Sequence, residues 1–237
     1  MEEKVALVTG SAKGIGAYLI KELANKNYNV VIHYNKSEKE AKLLKEKIIN
    51  KYHVKCITIK ADLRREKDIV KMIKKVIKEF NRLDLLINNA ALSIDNTIED
   101  KTKKEFLEVL EVNTIAPFLI SKISLPYVKE IINISSLDSV NTFYELNIDY
   151  SASKAALNLL TKTFALTYPK IKCIAFLLPW VNTEAIKEMN PDFLEKELLR
   201  INQSKLIEPE IIAHQIIEKK DTANSGELIN LGEFNDK

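Results

Sequence analysis

Glycine is scarce in this chain, and the few glycines are unevenly placed. Only 5 of the 237 residues are glycine, whereas average usage would give roughly 17. Three of them, Gly10, Gly14 and Gly16, lie within one stretch of seven residues. We therefore expect this stretch to need unusual backbone torsion angles or the close approach of a ligand to the backbone.

Cysteine, histidine and long apolar runs are scarce as well. Cys56 and Cys173 lie far apart in apolar segments, which predicts buried thiols in a reducing compartment. The histidines, His33, His53 and His214, lack the spacing of metal ligands, so we expect no metal site. No apolar run approaches the roughly 18 residues that a membrane-spanning helix needs. The first residues also lack the basic and apolar parts of a secretory signal, so we expect a cytoplasmic protein that does not enter membranes.

The chain has no large excess of charge of either sign, since 36 basic and 33 acidic residues leave a formal net charge of +3. Lysine and glutamate alternate along segments of helical period, which predicts solvated helix faces and no nucleic-acid partner. Hydrophobic residues make up 46% of the chain, a composition that excludes a disordered protein. No linker rich in proline or glycine divides the chain, so we expect a single domain over residues 1–237.

Short runs rich in β-branched residues alternate with longer segments of helical period. The predicted strands are 4–9, 29–34, 54–59, 83–87, 130–134, 171–177 and 227–231. The predicted helices are 14–25, 66–80, 102–124, 150–168, and one or two within 191–219. A further helix is predicted after the second strand, with Ser37 and Glu40 forming a capping box at its start. Strands without polar alternation are buried on both faces, which requires helices on both sides. The pattern predicts an α/β fold, a doubly wound (Rossmann) parallel sheet.

The glycine cluster follows the first predicted strand directly. Residues 9–16 (TGSAKGIG) lead at once into a predicted helix, with glycines spaced G-x3-G-x-G. Glycines at such a turn let the backbone approach a pyrophosphate, and the helix N-terminus offers free N–H groups and a positive dipole end. We favour a dinucleotide site over a purely structural turn, because the loop stands between a strand and a helix.

The end of the second strand predicts which dinucleotide binds. That strand ends in Tyr34, Asn35, Lys36 and Ser37. Proteins that bind NAD usually carry an acid there for the ribose hydroxyls, but the first acid is Glu38. Lys36, Ser37 and Lys13 of the glycine loop could instead bind a 2′-phosphate. The sequence therefore predicts NADP(H), although Lys36 by itself is also compatible with an ordinary surface lysine.

Two residues on a later predicted helix suggest acid–base chemistry. Tyr150 and Lys154 are spaced i, i+4, so their side chains share one helix face. A lysine ammonium beside a tyrosine lowers the phenol pKa from its ordinary value of about 10. Ser136, at the end of the fifth strand, could bond a substrate oxygen while the tyrosine exchanges a proton. Tyr-x-x-x-Lys is common on protein surfaces, so the pair indicates catalysis only in combination with the other motifs.

Together these motifs resemble the short-chain dehydrogenases/reductases over nearly the full length of the chain. The matching stretches are 9–16, 62–63 (DL), 88–90 (NNA), Asn113, Ser136, 150–154 (YSASK) and 179–183. The resemblance implies that Tyr150 is the acid/base and that Ser136 orients and polarises a substrate carbonyl. It also implies that Lys154 holds the nicotinamide ribose and lowers the pKa of Tyr150. Asn113 would anchor a water that relays protons from Lys154.

The same resemblance assigns the cofactor contacts. Asp62 and Leu63 would flank the adenine, and Val181 and Thr183 would bind the carboxamide. The predicted cofactor-binding residues are Gly10, Ser11, Lys13, Ile15, Gly16, Tyr34, Asn35, Lys36, Ser37, Asp62, Leu63, Asn89, Ala90, Tyr150, Lys154, Val181 and Thr183.

Two residues and one loop of the chain allow further predictions. Pro117 lies four residues after Asn113 and has no N–H, which frees the Asn113 carbonyl for a water or simply kinks the helix. Trp180 replaces a glycine that is usual in the family, so it lies over the nicotinamide or anchors the 184–205 segment. The loop between Ser136 and Tyr150 is one residue longer than usual, and it contains Phe143, Tyr144 and Leu146.

The sequence leaves three alternatives for the substrate. The glycine loop and the end of the second strand are most similar to those of 3-oxoacyl-[acyl-carrier-protein] reductases. Residues 33–37 and 113–118 are similar to stretches of pteridine reductases. A protein that binds NADP(H) as a sensor without catalysis is the third alternative. We expect a small-molecule or carrier-bound carbonyl substrate, with the variable loop 184–205 setting specificity. The resemblance also implies a homo-oligomer, a dimer or tetramer assembled through the helices that carry Asn113 and Tyr150.

Overall fold

The protein forms an α/β fold around one parallel sheet. The computed structural model describes residues 3–141, 144–187 and 189–232. The strands are β1 (Val5–Val8), β2 (Asn29–Tyr34), β3 (Cys56–Lys60), β4 (Leu85–Asn88), β5 (Glu130–Ser136), β6 (Lys172–Leu178) and β7 (Leu228–Asn230). Within the described residues they form a parallel sheet in the order β3-β2-β1-β4-β5-β6-β7. The predicted doubly wound sheet is confirmed.

Helices cover both faces of the sheet. They are α1 (Gly14–Asn25), α2 (Glu38–Tyr52), α3 (Glu66–Phe80), α4 (Lys103–Leu110), α5 (Ala116–Ser124), α6 (Ile148–Thr167), α7 (Glu184–Lys187), α8 (Pro191–Arg200) and α9 (Pro209–Lys219). Successive side chains of a strand point to opposite faces, so Ala6 and Val8 of β1 join one buried core while Val5 and Leu7 join the other. This explains why the strands read as unbroken apolar runs.

The predicted helix over 102–124 is interrupted. A π-helical turn, Glu111–Ile115, separates α4 from α5, and the Ala116 amide donates to the Glu111 carbonyl. Pro117 follows at once and has no N–H to offer the Asn113 carbonyl, which explains why the regular ladder breaks here. Turns of this kind are frequent at functional sites.

One predicted helix cap is wrong. The Ser37 side chain makes no capping hydrogen bond, and its backbone (φ −83°, ψ 59°) lies outside the extended region that an N-cap residue normally adopts. The capping box is found instead at Thr102, whose backbone is extended. Its Oγ1 accepts from the Glu105 amide at 3.2 Å, and the Glu105 carboxylate accepts from the Thr102 amide at 2.8 Å.

The strand order reverses between β1 and β4, which places a crevice at the carboxyl ends of these strands. Both cysteines are free and buried, as the sequence predicts. Among the residues that the structure describes, no helix is both long and apolar enough to span a bilayer.

Candidate active site

A cleft follows the carboxyl edge of the sheet. The part beyond β2, here called the β2 half, encloses about 600 Å³ and includes Lys36 and Asp62 in its lining. The part beyond β5, the β5 half, encloses about 610 Å³ and includes Ser136 and Tyr150. The halves adjoin and share the lining residues Lys13, Asn89, Ala91 and Leu92.

The structure brings most of the predicted site residues to this cleft. The β2 half is lined by Gly10, Lys13, Tyr34, Asn35, Lys36, Ser37, Asp62, Leu63, Asn89 and Ala90. The β5 half is lined by Lys13, Ile15, Gly16, Asn89, Ser136, Tyr150, Lys154, Val181 and Thr183. Of the predicted residues, Ser11 and Asn113 line neither half.

The glycine loop packs tightly against the end of β4. Gly10 has a φ of +62°, and a Cβ there would lie 2.9 Å from the Ala90 Cα. A Cβ at Gly16 would lie 2.7 Å from the Asn89 side-chain nitrogen. The Thr9 hydroxyl accepts from the Asn89 and Ala90 amides, each at 3.0 Å. Larger side chains would therefore push the loop away from β4 and change the floor of the cleft.

A buried histidine holds the first glycine in place, a contact that no sequence motif predicts. The Gly10 amide donates to His33 Nδ1 at 2.9 Å, so the ring proton lies on Nε2, which donates to the Ala61 carbonyl at 3.1 Å. Burial lowers the pKa of His33 to about 4. The ring is therefore neutral near pH 7, as this pair of contacts requires.

The β2 half contains a third cation, which sequence reasoning missed, in addition to Lys36 and Lys13. The Arg64 guanidinium lines it beside Lys36 and makes two hydrogen bonds to the Asp62 carboxylate, at 3.0 and 2.7 Å. This pairing holds the pKa of Asp62 below its ordinary value. With Lys13 the lining contains three cations, of which Arg64 pairs with Asp62 and Lys13 with Glu184, at an Nζ–Oε2 distance of 3.2 Å.

Ser11 and Asn113 act inside the structure rather than at the cleft wall. The Ser11 hydroxyl donates to the Val8 carbonyl at 2.7 Å and accepts from the His33 amide at 3.2 Å. The Asn113 side chain accepts from the Leu92 amide and donates to the Leu92 carbonyl, both at 2.8 Å. Asn113 thereby fixes the chain beside the β5 half, and any contact of its main-chain carbonyl with water stays a prediction.

The predicted serine, tyrosine and lysine meet in the β5 half. Ser136 ends β5, while Tyr150 lies in the first turn of α6 and Lys154 follows one turn later. The Lys154 Nζ lies 5.4 Å from the centroid of the Tyr150 ring and donates to the Ile134 carbonyl at 2.8 Å. Burial lowers the pKa of Lys154 to about 8.

The pKa of Tyr150 differs from the expectation. Burial and the negative charge of Asp138 raise the pKa of Tyr150 above its ordinary value, while a hydrogen bond with Ser136 opposes them. The depression expected from Lys154 is not seen, because that ammonium is itself buried and directed at a backbone carbonyl. The phenol is therefore protonated near pH 7 and suited to donating a proton.

Two carboxylates in the β5 half were not anticipated. Asp138 follows β5 in a short 3₁₀ turn, and its Oδ2 accepts from the Ser136 hydroxyl at 3.2 Å. Asp95 lies on the neighbouring loop and accepts from the Tyr144 hydroxyl at 3.3 Å. Both line the cleft. Neither carboxylate belongs to a sequence motif, and both come to the β5 half through the fold.

Trp180 lines the cleft and is anchored to the 184–205 segment, while its place over the nicotinamide stays a prediction. Its side chain lines the β5 half and packs edge-on against Tyr144, with ring centroids 5.3 Å apart. Its backbone is joined to the 184–205 segment, because its amide donates to Gln203 Oε1 at 3.0 Å and its carbonyl accepts from Gln203 Nε2 at 2.7 Å. Phe143, predicted in the same loop as Tyr144, lies outside the described residues.

A buried ion pair joins the loop before α4 to α6. The Lys101 ammonium lies 3.1 Å from the Asp149 carboxylate, with side-chain exposures of 3% and 0%. Asp149 also accepts from the Tyr150 amide at 2.9 Å, and Lys101 donates to the Ile94 carbonyl. Segment 91–101, which carries part of the cleft wall, is thus tied to the residue that precedes the predicted acid.

The described residues contain no group of three or more histidine, cysteine or acidic side chains placed to hold a metal ion. The chemistry that the cleft itself offers is proton donation from a phenol, with a lysine ammonium and a serine hydroxyl beside it.

Comparison with known sequences identifies relatives. A sequence model of the family described as short chain dehydrogenase matches residues 4–193. A hydroxynaphthalene reductase-like protein of Metarhizium brunneum is 29% identical over 165 residues, which cover 68% of this chain and 61% of the relative. The chain spans about three fifths of the length of the curated relatives that it matches.

Solved structures agree with this. A dehydrogenase/reductase from Sinorhizobium meliloti superimposes with a TM-score of 0.90 at 27% identity, covering 97% of this chain and 94% of the other. A short chain dehydrogenase from Burkholderia cenocepacia, solved in complex with NADP, has a TM-score of 0.87 at 24% identity, covering 96% and 95%; this second likeness shows the shared fold. Since the family match spans residues 4–193 of the 237, this chain belongs to the short chain dehydrogenase family.

Proposed function

We propose that this protein is an NADP(H)-dependent oxidoreductase that reduces the carbonyl group of a small molecule, with Tyr150 as the proton donor. The observation that carries the proposal is that Ser136, Tyr150 and Lys154 share the β5 half with the glycine loop. A proton donor thus lies in the same groove as a loop suited to a pyrophosphate.

The residues present fit a dinucleotide. Gly10 and Gly16 let the loop pack directly against the end of β4 and fold tightly on itself, and α1 begins at Gly14, which lines the cleft. Lys36 and Arg64 place two cations in the β2 half, which suits a 2′-phosphate. The Burkholderia cenocepacia structure was solved with NADP, which adds support. When bound, the cofactor supplies the hydride.

The protein's own groups then have distinct tasks. Tyr150 donates its phenolic proton to the substrate oxygen, since burial keeps the phenol protonated. Ser136 orients that oxygen by hydrogen bonding. Lys154 would hold the nicotinamide ribose and would add a positive charge beside the phenol as negative charge develops on it. Asn113 anchors the water that restores the proton.

The β5 half favours an uncharged carbonyl compound that carries hydrogen-bond donors. The Asp95 and Asp138 carboxylates would repel an anionic substrate and accept from hydroxyl or amino groups. The Trp180 and Tyr144 rings offer an aromatic wall. A ring ketone with hydroxyl groups fits this lining, and the name of the Metarhizium brunneum relative is in keeping with such a substrate.

A substrate screen tests the proposal. Purified protein is mixed with NADPH or NADH and with three carbonyl classes: hydroxylated ring ketones, acetoacetyl thioesters and dihydropteridines. We expect loss of NADPH absorbance, faster than with NADH, and fastest with the ring ketones. Preference for the thioester or the pteridine would replace the substrate assignment. Tight NADPH binding without turnover of any class would instead favour a sensor.

We also propose that the protein is cytoplasmic, which its two free thiols support, and that it assembles as a homo-oligomer. Apolar side chains on neighbouring helices are exposed: Leu107 of α4 at 48%, and Leu159 and Leu166 of α6 at 67% and 84%. A second copy covering this face would bury them. Light scattering should give a dimer or larger, whereas L159E together with L166E should yield monomers.

A further inference from the structure

The carboxylate of Asp138 lies against the predicted proton donor without belonging to any motif. Its residue is 5% exposed and contributes to the lining of the β5 half. Its Oδ2 accepts from the Ser136 hydroxyl, and its own amide donates to Ser136 Oγ, both at 3.2 Å. A buried negative charge is thus held one hydroxyl away from Tyr150.

We propose that Asp138 is a positioning residue that orients the Ser136 hydroxyl and keeps Tyr150 protonated, so that the site favours carbonyl reduction over alcohol oxidation. The inference deepens the proposed function and rests on it. The serine has a single hydroxyl hydrogen. A hydrogen bond donated by Ser136 favours the phenolate of Tyr150; while the single hydroxyl hydrogen points to Asp138, that support for the phenolate is withdrawn.

The charges around Tyr150 come from several elements. Lys154 lies on the same helix, with its Nζ 5.4 Å from the Tyr150 ring centroid. Asp149 also lies on α6, but its charge is balanced by Lys101 from the loop before α4. Asp95, on that loop, is engaged by the Tyr144 hydroxyl. Asp138 acts on Tyr150 through the shared serine, in line with the raised pKa of this phenol, and its charge also interacts with that of Arg200 from α8.

This charge has opposite effects on the two directions of the reaction. Reduction consumes a proton and needs the phenol, whereas oxidation of the alcohol releases a proton and needs the phenolate. A negative charge beside Tyr150 disfavours the phenolate, since like charges repel in a buried site. Reduction is thereby supported over a wide pH range, and oxidation is confined to alkaline pH.

The test replaces Asp138 with its uncharged isostere. In D138N, the pH of half-maximal alcohol oxidation with NADP⁺ should fall by about one unit, and reduction should begin to decline at correspondingly lower pH. The matched control is E145Q, which removes an exposed carboxylate of the same loop that neither lines the cleft nor touches Ser136; its pH profile should stay that of the wild type. An unchanged profile in D138N, or equal shifts in both variants, would overturn the proposal.

A second readout needs no turnover. The phenolate of Tyr150 absorbs in the ultraviolet, and the difference between each protein and its Y150F counterpart isolates its titration. D138N should titrate at lower pH than the wild type, and E145Q should not. If no carbonyl compound is reduced but this shift appears, the proposed function fails while the coupling of Asp138 to Tyr150 holds. If turnover is found without the shift, only the inference fails.

Discussion

Single residues determine the electrostatics of the cleft, and several of them have no sequence signal. Tyr150 and Lys154 could be predicted because their i, i+4 spacing survives in any helix. Arg64 and Asp138 could not, because their positions beside Asp62 and Ser136 follow from local turns that bring side chains two residues apart into contact. His33 was missed for the opposite reason, since its partner Gly10 lies 23 residues away.

His33 predicts a pH dependence of stability. Its pKa is lowered to about 4 in the folded protein from an unfolded value of 6.5, so the unfolded chain binds the extra proton first as pH falls. Stability is therefore full above about pH 6.5 and is lost progressively down to about pH 4, by about 3 kcal/mol. Chemical denaturation across this range should show a flatter profile for H33Q than for the wild type. Parallel profiles would mean that His33 contributes nothing.

Lys36 predicts cofactor discrimination. K36D should weaken NADPH binding by roughly tenfold or more, because a charge contact with a phosphate is replaced by repulsion, and should change NADH binding much less. Fluorescence titration of both cofactors measures this. K39D is the matched control, since Lys39 is exposed on α2 but does not line the cleft. Equal losses for NADPH and NADH would remove Lys36 from the phosphate site.

At the scale of elements, the strands and most helices could be predicted because their buried apolar residues follow a simple pattern in the sequence. The spans 14–25, 29–34 and 66–80 agree with α1, β2 and α3. The division of 102–124 by a π-helical turn has only Pro117 as a signal. The cap expected at Ser37 failed because local backbone geometry, which the sequence pattern does not encode, decides whether a hydroxyl reaches an amide.

The Lys101–Asp149 pair predicts how segment 91–101 is coupled to α6. K101M leaves the Asp149 carboxylate buried without its cation, so the free energy of unfolding should fall by about 3–5 kcal/mol. The exposed pair formed by Glu38 and Lys42 provides the control, and E38Q should change stability little. Denaturant unfolding measures both. Equal, small effects would show that the buried pair does not hold the segment.

At the scale of the whole molecule, the fold concentrates chemistry at one edge of the sheet. Parallel strands end on the same side, so loops that are distant in sequence meet at the reversal of strand order between β1 and β4. This is why scattered motifs, the glycine loop, Ser136 and Tyr150, could be assigned to one cleft from sequence. The substrate could not be assigned in the same way, since its wall is built from loops such as 91–101 and 184–205.

The most direct test of the account compares wild-type protein with Y150F in two measurements, NADPH affinity and the rate of carbonyl reduction. Loss of one hydroxyl should leave NADPH affinity within about twofold, and it should lower turnover by roughly 10²–10⁴-fold, the range of a lost general acid. Turnover in Y150F equal to that of the wild type would contradict proton donation by Tyr150.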